Sequence, residues 1–505
     1  MGNLISGPSP DQAAVKRLLL QILLWSLAFK VFLSLILPLG LDEAYAIAVA
    51  RDYSLSFFDH PPLSFWMPVA MADLTGIEHR MVFRAPFLLA GVLTTCVMFL
   101  IGREVGGDRV GLWTALLYAI APFFTVSAGF LAVPDGPLNL FSALALLGLV
   151  RITTRNEADK LILWLGVGLA LALALASKYQ AAWFPVAAFL FMLIDRNARR
   201  WFLMPGPWLA GVVGLLGLAP VFLWNMQNDW ISFTFQASRA GDGLNLKNLA
   251  FMLIGQGLFL LPTALVAAVA GLKLGLFERA KSSHLLLALM ALGPILLFNY
   301  IYFTSTRSHA HWPMPGWQFA LPLAALWIVA RGEKIARRTL KWSKILLPLI
   351  WVPLITLVIH ANTGLLTRFT HETPPDWDYT LSIFDFKDLE PALRSRGLWD
   401  ETDVFMGSSW AFAGILDTFL GAQKPMRVRD LDGAHHFVFM EQSRATGRVL
   451  YMEPTTFRDK GQTDARMLAE AQKLDPMAEL LPPIILQRGG IDYVRVSLVR
   501  LTLNE

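Results

Sequence analysis

The chain has 505 residues, of which 55% are hydrophobic and 16% charged, with a formal net charge of +5. An average soluble protein carries roughly 25% charged residues, so this composition excludes an ordinary soluble enzyme. The positive balance is no nucleic-acid signal either, because the basic residues sit in short loops between apolar runs, where they set membrane topology.

Apolar runs of spanning length recur over the first two thirds, which predicts a polytopic α-helical membrane protein. Eleven spans are predicted, near 18–39, 84–102, 110–130, 136–150, 161–176, 179–194, 207–224, 249–272, 284–303, 317–330 and 345–361. The first is long for the apolar core of a signal peptide, which favours a retained span, although Ala44-Tyr45-Ala46 resembles a cleavage site. With the amino terminus in the cytoplasm, the inner loops collect Lys16, Arg17, Arg103, Arg109, Arg151, Arg155, Lys160, Arg196, Arg199, Arg200, Lys273, Arg279 and Lys281. They also collect the basic cluster from Arg331 to Lys344, whereas the outer short loops hold only scattered residues such as Arg51, Arg80, Lys178 and Arg239. Positive charge favours the cytoplasmic side, so the asymmetry supports this orientation. The only cysteine, Cys96, lies in an apolar run and permits no intrachain disulfide.

The expected division is a membrane domain over residues 1–361 and a carboxy-terminal domain over 362–505. The tail loses the long apolar runs. GRVLYMEP (447–454) and DYVRVSLVR (492–500) alternate like strands, and ETDVFMGSSWAFAGILDTFLG (401–421) reads as a strand leading into a helix. A soluble α/β domain on the extracytoplasmic face is predicted. No internal repeat is visible, which weighs against a transporter built from inverted repeats.

The polar residues of the membrane region gather on that same outer side. Asp42 and Glu43 open the stretch LDEAYAIAVARDYSLSFFDHPPLSFW (41–66), which also carries Asp59 and His60. Asp135 lies in PDGPLNLF, Lys178 in SKYQAA, Arg239 at the end of WNMQNDWISFTFQASR, and Arg307, His309 and His311 in TSTRSHAHW. Ionisable groups at membrane depth are costly and point to function. Each also has a plainer reading: Asp135 as a helix N-cap, Lys178 as a cation snorkelling to headgroups, and Trp224, Trp230, Trp312 and Trp317 as an interfacial aromatic belt. Carboxylates and cations converging on one face suit a substrate that joins a phosphate to a reacting centre. A carboxylate accepts a proton from an attacking hydroxyl, and cations hold the phosphate as it leaves. A carboxylate pair can also bind a divalent metal, but His309-Ala-His311 is too weak to make a zinc motif. No Walker loop or dinucleotide fingerprint is present.

These motifs resemble the GT-C fold glycosyltransferases of the protein-mannosyltransferase and lipid A aminoarabinose-transferase type. The marks are DEAY at 42–45, DHPPL at 59–63, PDGPLNLF at 134–141, SKYQAA at 177–182 and the W-N-x-x-N-D-W-x-S-F-x-F-Q-x-x-R run from Trp224 to Arg239. The resemblance implies an inverting glycosyltransferase of the bacterial inner membrane, with site and tail in the periplasm. It implies a polyprenyl-phosphate-sugar donor, a glycolipid acceptor such as lipid A or lipopolysaccharide core, and membrane lipids as surroundings, with no nucleic acid. Asp42, with Glu43 beside it, takes the catalytic carboxylate position, and Asp135 is the second acidic residue. Lys178 contacts the donor phosphate. Asp59, His60, Arg239, Arg307, His309 and His311 are further substrate contacts. Where the relatives have a lysine before Pro-Pro this chain has His60, which leaves that cationic role, and a metal role for Asp59, open. The alternatives are a lipid-linked sugar transporter or flippase, and a transferase acting on protein or polysaccharide.

Overall fold

The computed structural model describes residues 11–238, 246–278, 281–304, 309–370, 378–430, 433–455 and 461–504. In chain order the helices are α1 (Gln12–Ile36), α2 (Leu41–Ala50), α3 (Leu63–Thr75), α4 (Arg80–Gly106), α5 (Asp108–Ile120), α6 (Asp135–Arg155), α7 (Leu161–Ser177) and α8 (Trp183–Ile194). They continue with α9 (Pro205–Leu216), α10 (Ala219–Gln227), α11 (Ile231–Ala237), α12 (Leu246–Leu260), α13 (Pro262–Lys273), α14 (Ser282–Thr304), α15 (Met314–Ala330) and α16 (Glu333–Thr363). The tail adds α17 (Leu389–Ser395), α18 (Trp410–Phe419) and α19 (Gln462–Ala471), with strands β1 (Val404–Gly407), β2 (Met426–Val428), β3 (Gly447–Thr455), β4 (Glu479–Arg488) and β5 (Ile491–Leu503).

The apolar segments read from the sequence fall on helix, but they are not uniform spans. Among the described residues, α1, α4, α6, α14 and α16 are long and apolar enough to cross a membrane, and up to seven spans result if each of two bent pairs counts as one. The predicted span at 249–272 bends by 102° between Leu260 and Pro262. Leu261 adopts φ +75°, and Pro262 has no N–H to continue the helix. The freed Leu261 carbonyl accepts the Ala264 and Leu265 N–H groups instead, which restarts a helix in a new direction. The segment at 207–224 bends by 42° between α9 and α10. The predicted span at 110–130 stops at Ile120, because Ala121 before Pro122 is extended.

The chain packs as two compact units. One holds the chain up to Phe32, Leu55–Ser64 and Arg84–Trp351. Its core is continuous and apolar, running through Trp113, Tyr118, Leu146, Leu171, Ala264, Leu286 and Leu321. Small residues let its helices approach closely: a Cβ on Gly168 of α7 would lie 2.9 Å from the Ala210 carbonyl oxygen of α9.

The other unit holds Leu33–Ser54, Phe65–Phe83 and Val352–Glu505. Its sheet has the order β2-β1-β3-β5-β4. β1 runs parallel to β2 and β3, with Phe405 opposite Met426 and Val404 opposite Val449, while β5 runs antiparallel to β3 and β4. β4 carries Pro482 and Pro483 where its register with β5 shifts, between Leu481 and Ile484. Prolines have no N–H for the ladder and are tolerated on such an edge strand. Val404, Met406, Val449, Tyr451, Val499 and Leu501 bury one face together with Met467 and Ala471 of α19.

Candidate active site

In the second unit, α1 ends near Ile36, and the segment through Pro38 and Gly40 separates it from α2. The D-E-A-Y sequence is therefore the first turn of its own short helix. Carboxylates suit that position, where the unpaired N–H groups of the helix start concentrate positive potential. The neighbouring acids are placed differently. Glu43 is buried, and its Oε2 accepts the Gly40 N–H at 3.1 Å, which ties the carboxylate to the helix start. Asp42 is exposed. Burial continues from Ala44 to Ala50, where small and β-branched residues form the packed face.

The first unit brings together Asp59, His60, Asp135, Lys178 and His311. Lys178 is the residue at which α7 ends: its backbone is extended, and its N–H is donated to the Ala174 carbonyl. The chain then makes a 3-10 turn over Tyr179–Ala182 before α8. That break releases the lysine side chain to Asp135, the first residue of α6, with Nζ 2.9 Å from Oδ1. Ser127 Oγ donates to Asp135 Oδ2 at 3.4 Å. His60 and His311 lie within electrostatic reach of the Asp135 carboxylate. The His311 ring stacks at 6.1 Å from Phe123 and 5.5 Å from His309. Desolvation pushes the His311 imidazole down to about 4, the Asp135 carboxylate notwithstanding. His311 is therefore a neutral hydrogen-bonding group near pH 7, not a cation. His60 Nδ1 lies 2.9 Å from Asp59 Oδ2. Among the described residues, no group of three or more His, Cys, Asp or Glu side chains is placed to hold a metal ion.

Three plainer sequence readings are corrected here. Asp135 does not cap α6; Pro134 occupies that position, and the aspartate takes Lys178 instead. Lys178 does not snorkel to headgroups, because a carboxylate compensates its charge inside the packed helices. Trp224 and Trp317 are not belt residues. Both are buried, and Trp317 Nε1 donates to Gln256 Oε1 at 2.6 Å. Arg239 and Arg307 lie outside the described residues.

The motif from Trp224 to Arg239, of which the sequence assigns only Arg239 to substrate, also has a structural task that the sequence does not reveal. Ser232 Oγ donates to the Phe57 carbonyl at 3.2 Å, and Gln236 Nε2 donates to the Asp59 carbonyl at 2.7 Å. Phe235 packs on Phe58 with ring centroids 4.7 Å apart. Ser232, Phe235 and Gln236 recur at helical spacing, so one face of α11 grips the loop that carries Asp59 and His60. Asn225 Oδ1 accepts the Ser232 N–H at 3.1 Å, and positive φ angles at Asp229 and Trp230 make the turn between α10 and α11. The signal lies in Ser232 and Gln236, polar residues at i, i+4 spacing on a short helix that also carries Phe233 and Phe235.

Comparison with known proteins follows the same lines. The sequence model of the family described as dolichyl-phosphate-mannose-protein mannosyltransferase matches residues 59–224. The lipid A galacturonosyltransferase RgtD of Rhizobium johnstonii is 22% identical over 342 residues, which cover 65% of this chain and 69% of the relative. The crystal structure of ArnT from Cupriavidus metallidurans bound to undecaprenyl phosphate superposes with a TM-score of 0.64 at 14% identity, covering 97% of this chain and 98% of that one. An oligosaccharyltransferase of Archaeoglobus fulgidus, solved with Zn and sulfate, gives a TM-score of 0.51 at 12% identity over 89% of this chain and 69% of that one. The chain is thus a membrane protein of the GT-C fold and of glycosyltransferase type, as its motifs lead one to expect.

Proposed function

We propose that the protein transfers a sugar from a polyprenyl phosphate to a hydroxyl of a glycolipid, lipid A or lipopolysaccharide core, at the periplasmic face of a bacterial inner membrane. The observation that carries the reading is Asp42: an exposed carboxylate at the start of the D-E-A-Y helix, beside a glutamate committed to structure, in a chain of this fold. The likeness to a lipid A galacturonosyltransferase supports the acceptor class, and the undecaprenyl phosphate bound by ArnT supports the carrier.

In this reaction the acceptor hydroxyl oxygen forms a bond to the anomeric carbon while the bond from that carbon to the phosphate oxygen breaks. Asp42 takes the hydroxyl proton as general base. The electron pair leaves with the polyprenyl phosphate, and attack opposite the leaving group inverts the anomeric centre. Phosphate is a competent leaving group, so charge stabilisation matters more than protonation. Lys178, oriented by Asp135, is assigned to that charge. Its ammonium has three N–H donors, and the bond to Asp135 uses one. Arg239 and Arg307 are assigned to the same substrate from the sequence alone, and Asp59, His60, His309 and His311 to its sugar or acceptor portion.

The test compares the parent strain, a deletion strain and the deletion strain carrying Asp42→Asn, by mass spectrometry of both the polyprenyl-phosphate-sugar pool and the envelope glycolipids. One sugar mass should vanish from a glycolipid while its lipid-linked donor accumulates, and Asp42→Asn should fail to restore it. Full restoration by Asp42→Asn would remove the general base from this account and favour a flippase, which forms no glycosidic bond.

A further inference from the structure

We infer that the carboxy-terminal sheet domain positions the catalytic carboxylate, with Gly414, Asp417 and His436 acting as positioning residues for Asp42. This rests on the assignment of Asp42 made above. All the contacts lie within the second compact unit.

Helix α2 is held at three points by the tail and its surroundings. At its middle, α18 meets it backbone to backbone. A Cβ on Gly414 would lie 2.7 Å from both the Cα and the N of Tyr45, and 3.0 Å from the carbonyl carbon of Ala44. Those are main-chain atoms that cannot rotate aside, so no residue larger than glycine fits without displacing α2. On the same stretch, the Tyr45 hydroxyl accepts the His436 N–H at 2.8 Å, and its ring packs edge-on against Trp410 with centroids 4.9 Å apart. At the end of the helix, Arg51 Nε lies 2.7 Å from Asp417 Oδ2, and Arg51 Nη1 lies 2.6 Å from Glu78 Oε1. Asp417 is itself buried, so its charge depends on that guanidinium.

Asp42 and Tyr45 are three residues apart on one ten-residue helix and so are neighbours on its surface. A helix this short moves as a rigid body. Whatever fixes Tyr45 and Arg51 also fixes where the exposed Asp42 carboxylate stands. Gly414 and Asp417 are themselves one turn apart on α18, so a single face of one tail helix sets both the approach and the lengthwise position of α2. A misplacement of about 1 Å at a reacting group costs on the order of 100-fold in rate.

The experiment uses the full-length protein in detergent, with undecaprenyl-phosphate-linked galacturonic acid as the donor probe and lipid A as the acceptor probe. The variants are Gly414→Ala, Asp417→Asn, Asp42→Asn, and the two doubles that combine a tail change with Asp42→Asn. Gly414→Ala should lower kcat by about 10-fold or more with donor KM within about 3-fold, following the misplacement argument. In the Asp42→Asn background the same change should alter the residual turnover by less than about 2-fold, because a residue acting through Asp42 has nothing left to position. Multiplicative losses in the doubles, or a parent-like kcat in Gly414→Ala, would overturn the inference. If Gly414→Ala does not fold, Asp417→Asn carries the same comparison, and failure of both to fold assigns the contact to stability and also overturns it. Full activity of Asp42→Asn alone would instead sink the assignment of the base, a different outcome read from a different variant.

Discussion

Lys178 Nζ stands 2.9 Å from Asp135 Oδ1, and both side chains are buried among the helices of the first unit. Removing one partner leaves the other charge uncompensated, which costs about 3–5 kcal/mol in a packed interior. Lys178→Ala should therefore lower the melting temperature in detergent and also weaken use of the donor by about 10-fold or more, the scale of a lost hydrogen bond to a charged group. The double change Asp135→Asn with Lys178→Gln should recover most of the melting temperature and little of the turnover. Recovery of both would confine the pair to a structural role.

Asp42 and Glu43 are adjacent but should fail differently. Asp42→Asn should keep the melting temperature of the parent and lose turnover by roughly 100-fold or more, as expected when a general base is removed. Glu43→Ala removes the acceptor of the Gly40 N–H from a buried site and should cost about 1–3 kcal/mol of stability. Thermal unfolding and single-turnover rates on the two variants separate the roles; equal effects on both readouts would show that the carboxylates act as one unit.

The grip of α11 on the loop carrying Asp59 and His60 predicts a binding defect. Gln236→Ala removes the donor to the Asp59 carbonyl and should cost about 0.5–1.5 kcal/mol. The expected signature is a raised KM with kcat within a few-fold of the parent, because loop order affects binding more than the chemical step. A fall in kcat at unchanged KM would contradict it.

The tail should be sensitive to acid. Burial works against ionisation of Asp378, but hydrogen bonds from Thr380 and Tyr493, with His360 nearby, hold its carboxyl below the ordinary range. Hydrogen bonding to Arg495 does the same for Asp464. Both groups bind their protons less tightly in the folded state than in the unfolded chain. Their contribution is complete above the unfolded value of about 4 and is lost as pH falls through the depressed folded values. Thermal scans of the full-length protein should show stability falling as pH drops below about 4, with a shallower slope in Asp378→Asn. Parallel slopes in parent and variant would remove Asp378 from the account.

Although it showed neither the short helices α2, α3 and α11 nor the strands β2 and β4, the sequence by itself determined the helical class, most of the long apolar helices and part of the strand pattern of the tail. Those follow from local periodicity: apolar runs demand internally hydrogen-bonded helices in a bilayer, and alternation in GRVLYMEP and DYVRVSLVR gives β3 and β5. It also marked out Asp42, Asp135 and Lys178 as candidates, because ionisable residues are few and costly in an apolar chain. Only the tertiary structure decided which partners such residues have. The partner of Lys178 lies 43 residues away, the grip of Gln236 on the Asp59 loop spans 177, and the ion pair of Arg51 with Asp417 spans 366. Such pairings are set by the need to compensate buried charge and to fit helices at close range, and neither requirement leaves a period along the chain. The same is true of Gly414, an ordinary small residue in the sequence until α18 is seen pressed against the backbone of the helix that carries Asp42.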